Sequence, residues 1–165
     1  MEQRELAQSL RHRLNDQAVD VERLAAETLD AFEAAGRTGH VRWLTLELQG
    51  YGAVEGRAPL EAILGVGEGD RLVIHVSAYR LQVGQIVEPG ERTERSFQHF
   101  FVESLPELSA AAQRVRNAGP DPLRLDFGQG IPNHPATLAF PVDIFDRILL
   151  GFRAALHLEL GSLVT

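Results

Sequence analysis

From Val142 to Leu160 the apolar residues Ile144, Phe145, Ile148, Leu149, Phe152, Leu156 and Leu160 recur at helical spacing, while Asp143, Asp146, Arg147, Arg153 and His157 occupy the opposite side. A helix with so wide an apolar face cannot stand alone in water, because its burial is what stabilises it. The rest of the chain must therefore supply a sheet or other helices to cover this face. Gly161 is expected to stop the helix.

The opposite end of the chain offers partners. Leu6, Leu10 and Leu14 follow i+4 spacing and are expected to line one side of a first short helix. Asp20 is placed to cap a second, in which Val21, Leu24, Ala25, Thr28 and Phe32 form the apolar stripe and Gly36 follows the last turn. Thr38 is expected to cap a third from about Gly39 to Gln49, with Val41, Leu44 and Leu48 on one stripe and Trp43 and Leu46 beside it. The GRTG connection between the last two predicts an antiparallel hairpin. Gly50, free of a Cβ clash at positive φ, ends the third helix and turns Tyr51 back toward it.

The middle of the chain reads differently. Gly52 to Asp70 is expected to be loop and turn, with Leu60, Ile63 and Leu64 able to form a single helical turn. Leu72 to Tyr79 alternates and predicts a strand, Leu81 to Val87 a second, and Glu88 to Glu91 the turn after it. Ser96 to Val102 fits both periods and is read as a strand. Ser104, Pro106 and Glu107 compose a capping box that opens a helix to about Asn117, ended by Gly119-Pro120. Leu123 to Phe127 and Ala136 to Phe140 read as further short strands. The sum is one α+β domain spanning residues 1–165: an N-terminal helical hairpin, a central, mainly antiparallel sheet of about four to five strands, and a long C-terminal amphipathic helix packed on it.

Composition removes several kinds of chemistry. All 16 basic residues are Arg, so neither a Schiff-base lysine nor a P-loop lysine exists, and with no cysteine there is no thiolate nucleophile or Cys-based zinc site. Twenty-three acidic residues leave a formal charge of −7, which argues against a broad nucleic-acid footprint. The charged N-terminus lacks the apolar core of a signal peptide and no run reaches the length of a membrane span, so a cytoplasmic protein is expected.

The helix ending in WLTLELQGY (Trp43 to Tyr51), the SLPEL capping box and the closing FDRILLGFRAALHLEL helix, taken in order, resemble the AbiTii family. The resemblance is carried by Trp43 to Tyr51 and Ile144 to Leu160, and implies a role in bacterial abortive infection, a phage-defence response. It brings no catalytic residue and no cofactor.

Four groups of residues are candidates for function. Trp43, Glu47 and Tyr51 suit either a partner-binding surface or the closure of the helical hairpin onto the sheet. His75, His99 and Glu103 include an i,i+4 pair that would converge on a metal only if the segment were helical. GVGEGD (Gly65 to Asp70) resembles a phosphate loop but is expected to precede a strand, where it has no helix N-terminus to work with. Asp121, Asp126, Asp143 and Asp146 flank Asn133 and His134 and could gather around a divalent ion. The expected function is a phage-defence-associated interaction or sensor module, docking to a protein partner or to itself. The alternative is a small metal-dependent hydrolase or nuclease toxin using the Asp126/His134/Asp143 region.

Overall fold

The computed structural model describes residues 2–16, 19–52, 60, 63, 65, 67–87, 96–119, 123–126 and 137–164. Within them the chain is α+β. Helices α1 (Glu2–Leu14), α2 (Val21–Ala34), α3 (Thr38–Gln49) and α4 (Gly69–Arg80) precede strands β1 (Leu81–Val87) and β2 (Ser96–Phe100). Helix α5 (Leu105–Ala118), strands β3 (Leu123–Asp126) and β4 (Thr137–Phe140) and helix α6 (Ile144–Val164) complete the order.

Helix starts follow local chemistry. The Asp20 side chain accepts from the Glu22 N–H at α2, and at α5 Ser104 and Glu107 satisfy each other's backbone donors in a full capping box with Pro106 in the first turn. Thr38 is not a cap: α3 starts on it, after an Arg37 that makes no side-chain capping bond. At the end of α3, Gly50 takes φ 94°, and a Cβ there would stand 3.2 Å from the Val102 oxygen. The Tyr51 N–H donates to that same oxygen at 2.8 Å, which ties the end of α3 to the segment after β2.

Three further expectations about the elements are corrected. Leu72 to Tyr79 is not a strand but most of α4, whose buried residues include Leu72, Val76 and Tyr79 while Ile74 is exposed. In α1 the inward positions are Ala7, Leu10 and Leu14, and Leu6 faces outward. Gly161 does not stop α6, which runs on to Val164. The turn expected at Glu88 to Glu91 lies outside the described residues; of the expected turn at residues 60–64, Ile63 N–H donates to Leu60 O and Leu64 lies outside.

The strands pair antiparallel in the order β2-β1-β4-β3, with Gly84 opposite Phe97, Ile86 opposite Leu138 and Leu123 opposite Phe140. Gly84 is required because a Cβ there would meet Leu138 and Phe140, both buried, at under 3 Å. The inner face of the sheet reaches α6 through a ring cluster in which Phe101 sits 5.1 Å from Phe140 and 5.8 Å from Phe145.

Helix α6 packs mainly against other helices: α1, α2, α4 and α5 all touch it. Fully buried Phe152 fills the space between α3 and α4, within ring contact of Trp43 and Tyr79, a burial worth about 1.5–3 kcal/mol. Beside it Gly151 admits Tyr79, whose Cβ lies where a side chain at 151 would start. No described helix is long and apolar enough to cross a membrane.

Candidate functional site

Two buried carboxylates organise the polar interior. The first is Glu47, one turn after Trp43 on α3 and wholly enclosed. It accepts from Trp43 Nε1 at 3.2 Å, from Tyr51 Oη at 2.9 Å, from the Tyr79 hydroxyl and from the Arg80 guanidinium, whose Nε lies 3.1 Å from Oε2. Arg80 is also enclosed; its remaining N–H groups donate to the Phe101 and Glu103 carbonyls at 2.7 Å, and its guanidinium lies over the Tyr51 ring at 4.6 Å. Burial opposes the charge on Arg80, yet the Glu47 carboxylate more than compensates and raises its pKa. Burial first, then the negative charge of Glu47, pushes both tyrosine hydroxyls well above their ordinary range.

Trp43, Glu47 and Tyr51 are therefore brought together, but inside the molecule: their exposures are 0%, 0% and 1%. The partner-binding reading of these three is corrected. Their polar atoms are spent on one another and on α4, and they close the helical hairpin onto its neighbours.

The second carboxylate is Glu159 on α6, 2% exposed. His40 Nε2 on α3 stands 2.7 Å from Oε2; Arg71 on α4 donates from NH2 to Oε2 at 2.5 Å and from Nε to Oε1 at 3.2 Å; His75 Nδ1 on α4 lies 2.9 Å from Oε1. On its other side His40 faces Glu68 at 3.5 Å, and Glu68 accepts from Arg37 at 3.0 Å. The His40 ring stacks on Phe32 at 4.2 Å. Nδ1 of His40 and of His75 are at ion-pair distance from carboxylates but outside hydrogen-bond alignment, so each is a buried nitrogen without a hydrogen bond. Burial works to raise the Glu159 pKa, but the bonds from His40 and Arg71 outweigh it and hold the carboxyl at about 2.

The cluster clasps α3, α4 and α6 and opens on a depression of about 290 Å³ lined by Arg71, His75, Leu158, Glu159 and Ser162. Of its members only His75 is marked by the sequence, and for a different purpose. His40 and Arg71 lie 119 and 88 positions from Glu159, and no local spacing joins them.

The other candidates disperse. His99 sits on β2 with its ring 4.7 Å from Phe101, and burial lowers its pKa against the pull of Glu103; His75 is on α4 at Glu159. Among the described residues no three His, Asp or Glu side chains form a group able to hold a metal ion. Asp143 is paired with Arg147 at 2.9 Å and Asp146 with Arg116 at 2.9 Å. Asp126 is on β3 opposite Thr137, and Asp121, Asn133 and His134 lie outside the described residues. The GVGEGD segment leads into α4, not into a strand, which removes the earlier objection to a phosphate loop and supplies another. The Gly65 N–H is bonded to the Asp70 carboxylate at 3.3 Å, and Glu68 and Asp70 already put negative charge at the helix N-terminus.

No family model, curated protein or solved structure matches this chain.

Proposed function

We propose that the chain is an AbiTii-like interaction module of bacterial phage defence that docks a protein partner on the outer face of its sheet. The observation that supports docking is the apolar surface at the β2 margin. Val83 is 52% exposed and Leu81 38%, and Phe100, opposite Leu81 in register, is half-buried against Tyr51. Alternate residues of a strand share a face, so Leu81 and Val83 present one apolar row beside an edge strand, a form of surface that accepts an extended segment of another protein. The phage-defence context rests on the sequence resemblance at Trp43 to Tyr51 and Ile144 to Leu160.

Expression in a bacterial host followed by phage challenge tests both parts. The chain is expected to lower plaque formation, and Val83→Glu, an exposed change that leaves the core alone, is expected to abolish that protection at equal protein level. No protection by the unaltered chain overturns the defence role; full protection by Val83→Glu overturns the docking face.

A further inference from the structure

His75 has one enclosed side and one open side. Its Nδ1 is buried 2.9 Å from Glu159 Oε1, while the ring lines the depression of about 290 Å³ with its side chain 24% exposed, so the edge turned to the opening is the one that carries Nε2. Glu159 is ionised and can only accept, which places the proton of the neutral ring on Nδ1 and leaves the Nε2 lone pair free. Nε2 bonds to no described residue. With neither cysteine nor lysine in the chain, such an imidazole is the base it has to offer near pH 7.

Arg71 stands one turn earlier on α4 and shares a face with His75. Its Nε lies 3.2 Å from the same Oε1 that His75 faces and its NH2 reaches Oε2, so guanidinium and imidazole adjoin and NH1 keeps both its hydrogens. Glu159 offsets the charge of Arg71. The depression therefore presents a base and a donor side by side without net positive charge, which suits a neutral polar group and not an anion. Leu158, 60% exposed, adds an apolar wall, and the Ser162 hydroxyl gives its proton to the Glu159 carbonyl at 2.7 Å.

We propose that this depression hydrolyses small neutral carboxylic esters, with His75 as general base, Arg71 as donor to the carbonyl oxygen and Glu159 as the residue that positions His75. A water molecule gives a proton to Nε2 as its oxygen bonds to the carbonyl carbon, and the carbonyl electron pair moves onto its oxygen, which accepts from Arg71 NH1. The pair then re-forms the carbonyl, the bond to the ester oxygen breaks, and that oxygen leaves with the proton from Nε2. Acid and alcohol are the products and water is the co-reactant. The acyl chain lies on Leu158. The site shares no residue with the Leu81 and Val83 row, so either can fail without the other.

The probes are p-nitrophenyl butyrate and p-nitrophenyl acetate. The unaltered chain is expected to release p-nitrophenolate faster than buffer does, with saturation and a lower KM for the butyrate. His75→Gln is expected to lower kcat by about a hundredfold or more, whereas His157→Gln, on α6 outside the depression, keeps it. Glu159→Gln is expected to lower kcat and leave KM as it is. Leu158→Ala, an exposed change, is expected to raise KM for the butyrate toward that for the acetate, and it decides the matter where His75→Gln loses native circular dichroism. Turnover no faster than buffer by the unaltered chain overturns the proposal. So does turnover that a folded His75→Gln retains, that His157→Gln loses equally, or that is indifferent to Glu159→Gln or Leu158→Ala.

Discussion

Glu47 and Arg80 form an ion pair that solvent does not reach from any side, with Arg80 Nε 3.1 Å from Glu47 Oε2. Such a pair is stable because further hydrogen bonds surround it: three ring or hydroxyl groups serve Glu47 and two carbonyls serve Arg80. Removing one partner leaves the other charged and buried. Glu47→Ala is therefore expected to lower stability by about 3–5 kcal/mol in urea denaturation. The double variant Glu47→Leu with Arg80→Met, which removes both charges at similar volume, is expected to recover a large part of that loss. A loss in the double variant equal to the sum of the losses of Glu47→Leu and Arg80→Met measured singly would show that the pair is not coupled.

The same cluster contains the only two tyrosines of the chain. Both hydroxyls have pKa values raised well above 10 by burial and by Glu47, so the native protein resists ionisation where the unfolded chain does not. Their contribution to stability is complete below pH 10 and is lost as pH rises beyond it. Absorbance at tyrosinate wavelengths is expected to stay flat through pH 10 and then rise in one step that coincides with loss of helical circular dichroism. A tyrosine titrating near 10 in the folded protein would place it outside the enclosed network.

How much of this was legible depends on range. The caps at Asp20 and Ser104, the stop at Gly50 and the apolar face of α6 are local chemistry, and sequence spacing reads them. Leu72 to Tyr79 misled because Leu72, Ile74, Val76 and Ala78 alternate with Val73, His75, Ser77 and Tyr79, and the β-branched Val73, Ile74 and Val76 favour strands, while Leu72, Val76 and Tyr79 also fit helical spacing. What decides it is tertiary: Tyr79 and Arg80, consecutive residues, both reach Glu47, and a strand would send them to opposite faces. The exposed reading of Trp43 and Tyr51 failed similarly. Trp43, Glu47 and Tyr51 share one side of the chain, but the partner that encloses them, Arg80, is 33 positions from Glu47.

Two glycines of α6 are expected to respond oppositely to the same change. At Gly151 a Cβ would lie 2.3 Å from the Tyr79 Cβ, so Gly151→Ala forces α4 away from α6 and strains the reach of Tyr79 to Glu47. A cost of about 1–3 kcal/mol is expected. At Gly161 the nearest contact is an ordinary 3.9 Å to the end of Arg11, and the helix continues through it. Gly161→Ala is therefore expected to add about 0.5–1 kcal/mol by helix propensity. Thermal melts of the two variants measure both; a stabilising Gly151→Ala would mean that α4 and α6 do not meet closely.

The Glu159 clasp is expected to set an acid limit on stability. Its carboxyl is held at about 2 against an ordinary value of 4.5, so between those values the unfolded chain takes up a proton that the native chain refuses. The stabilisation is fully present above about pH 4.5 and disappears as pH falls through 2, and a depression of that size corresponds to at most about 3–4 kcal/mol. Glu159→Gln keeps the size and an acceptor but not the charge facing His40 and Arg71. It is expected to be less stable than the unaltered chain at pH 6 and to lose less on acidification, so that the urea midpoints of the two converge toward pH 2. Parallel curves from pH 6 to pH 2 would mean that Glu159 titrates alike in the folded and unfolded chains, and that His40 and Arg71 do not hold its charge in place.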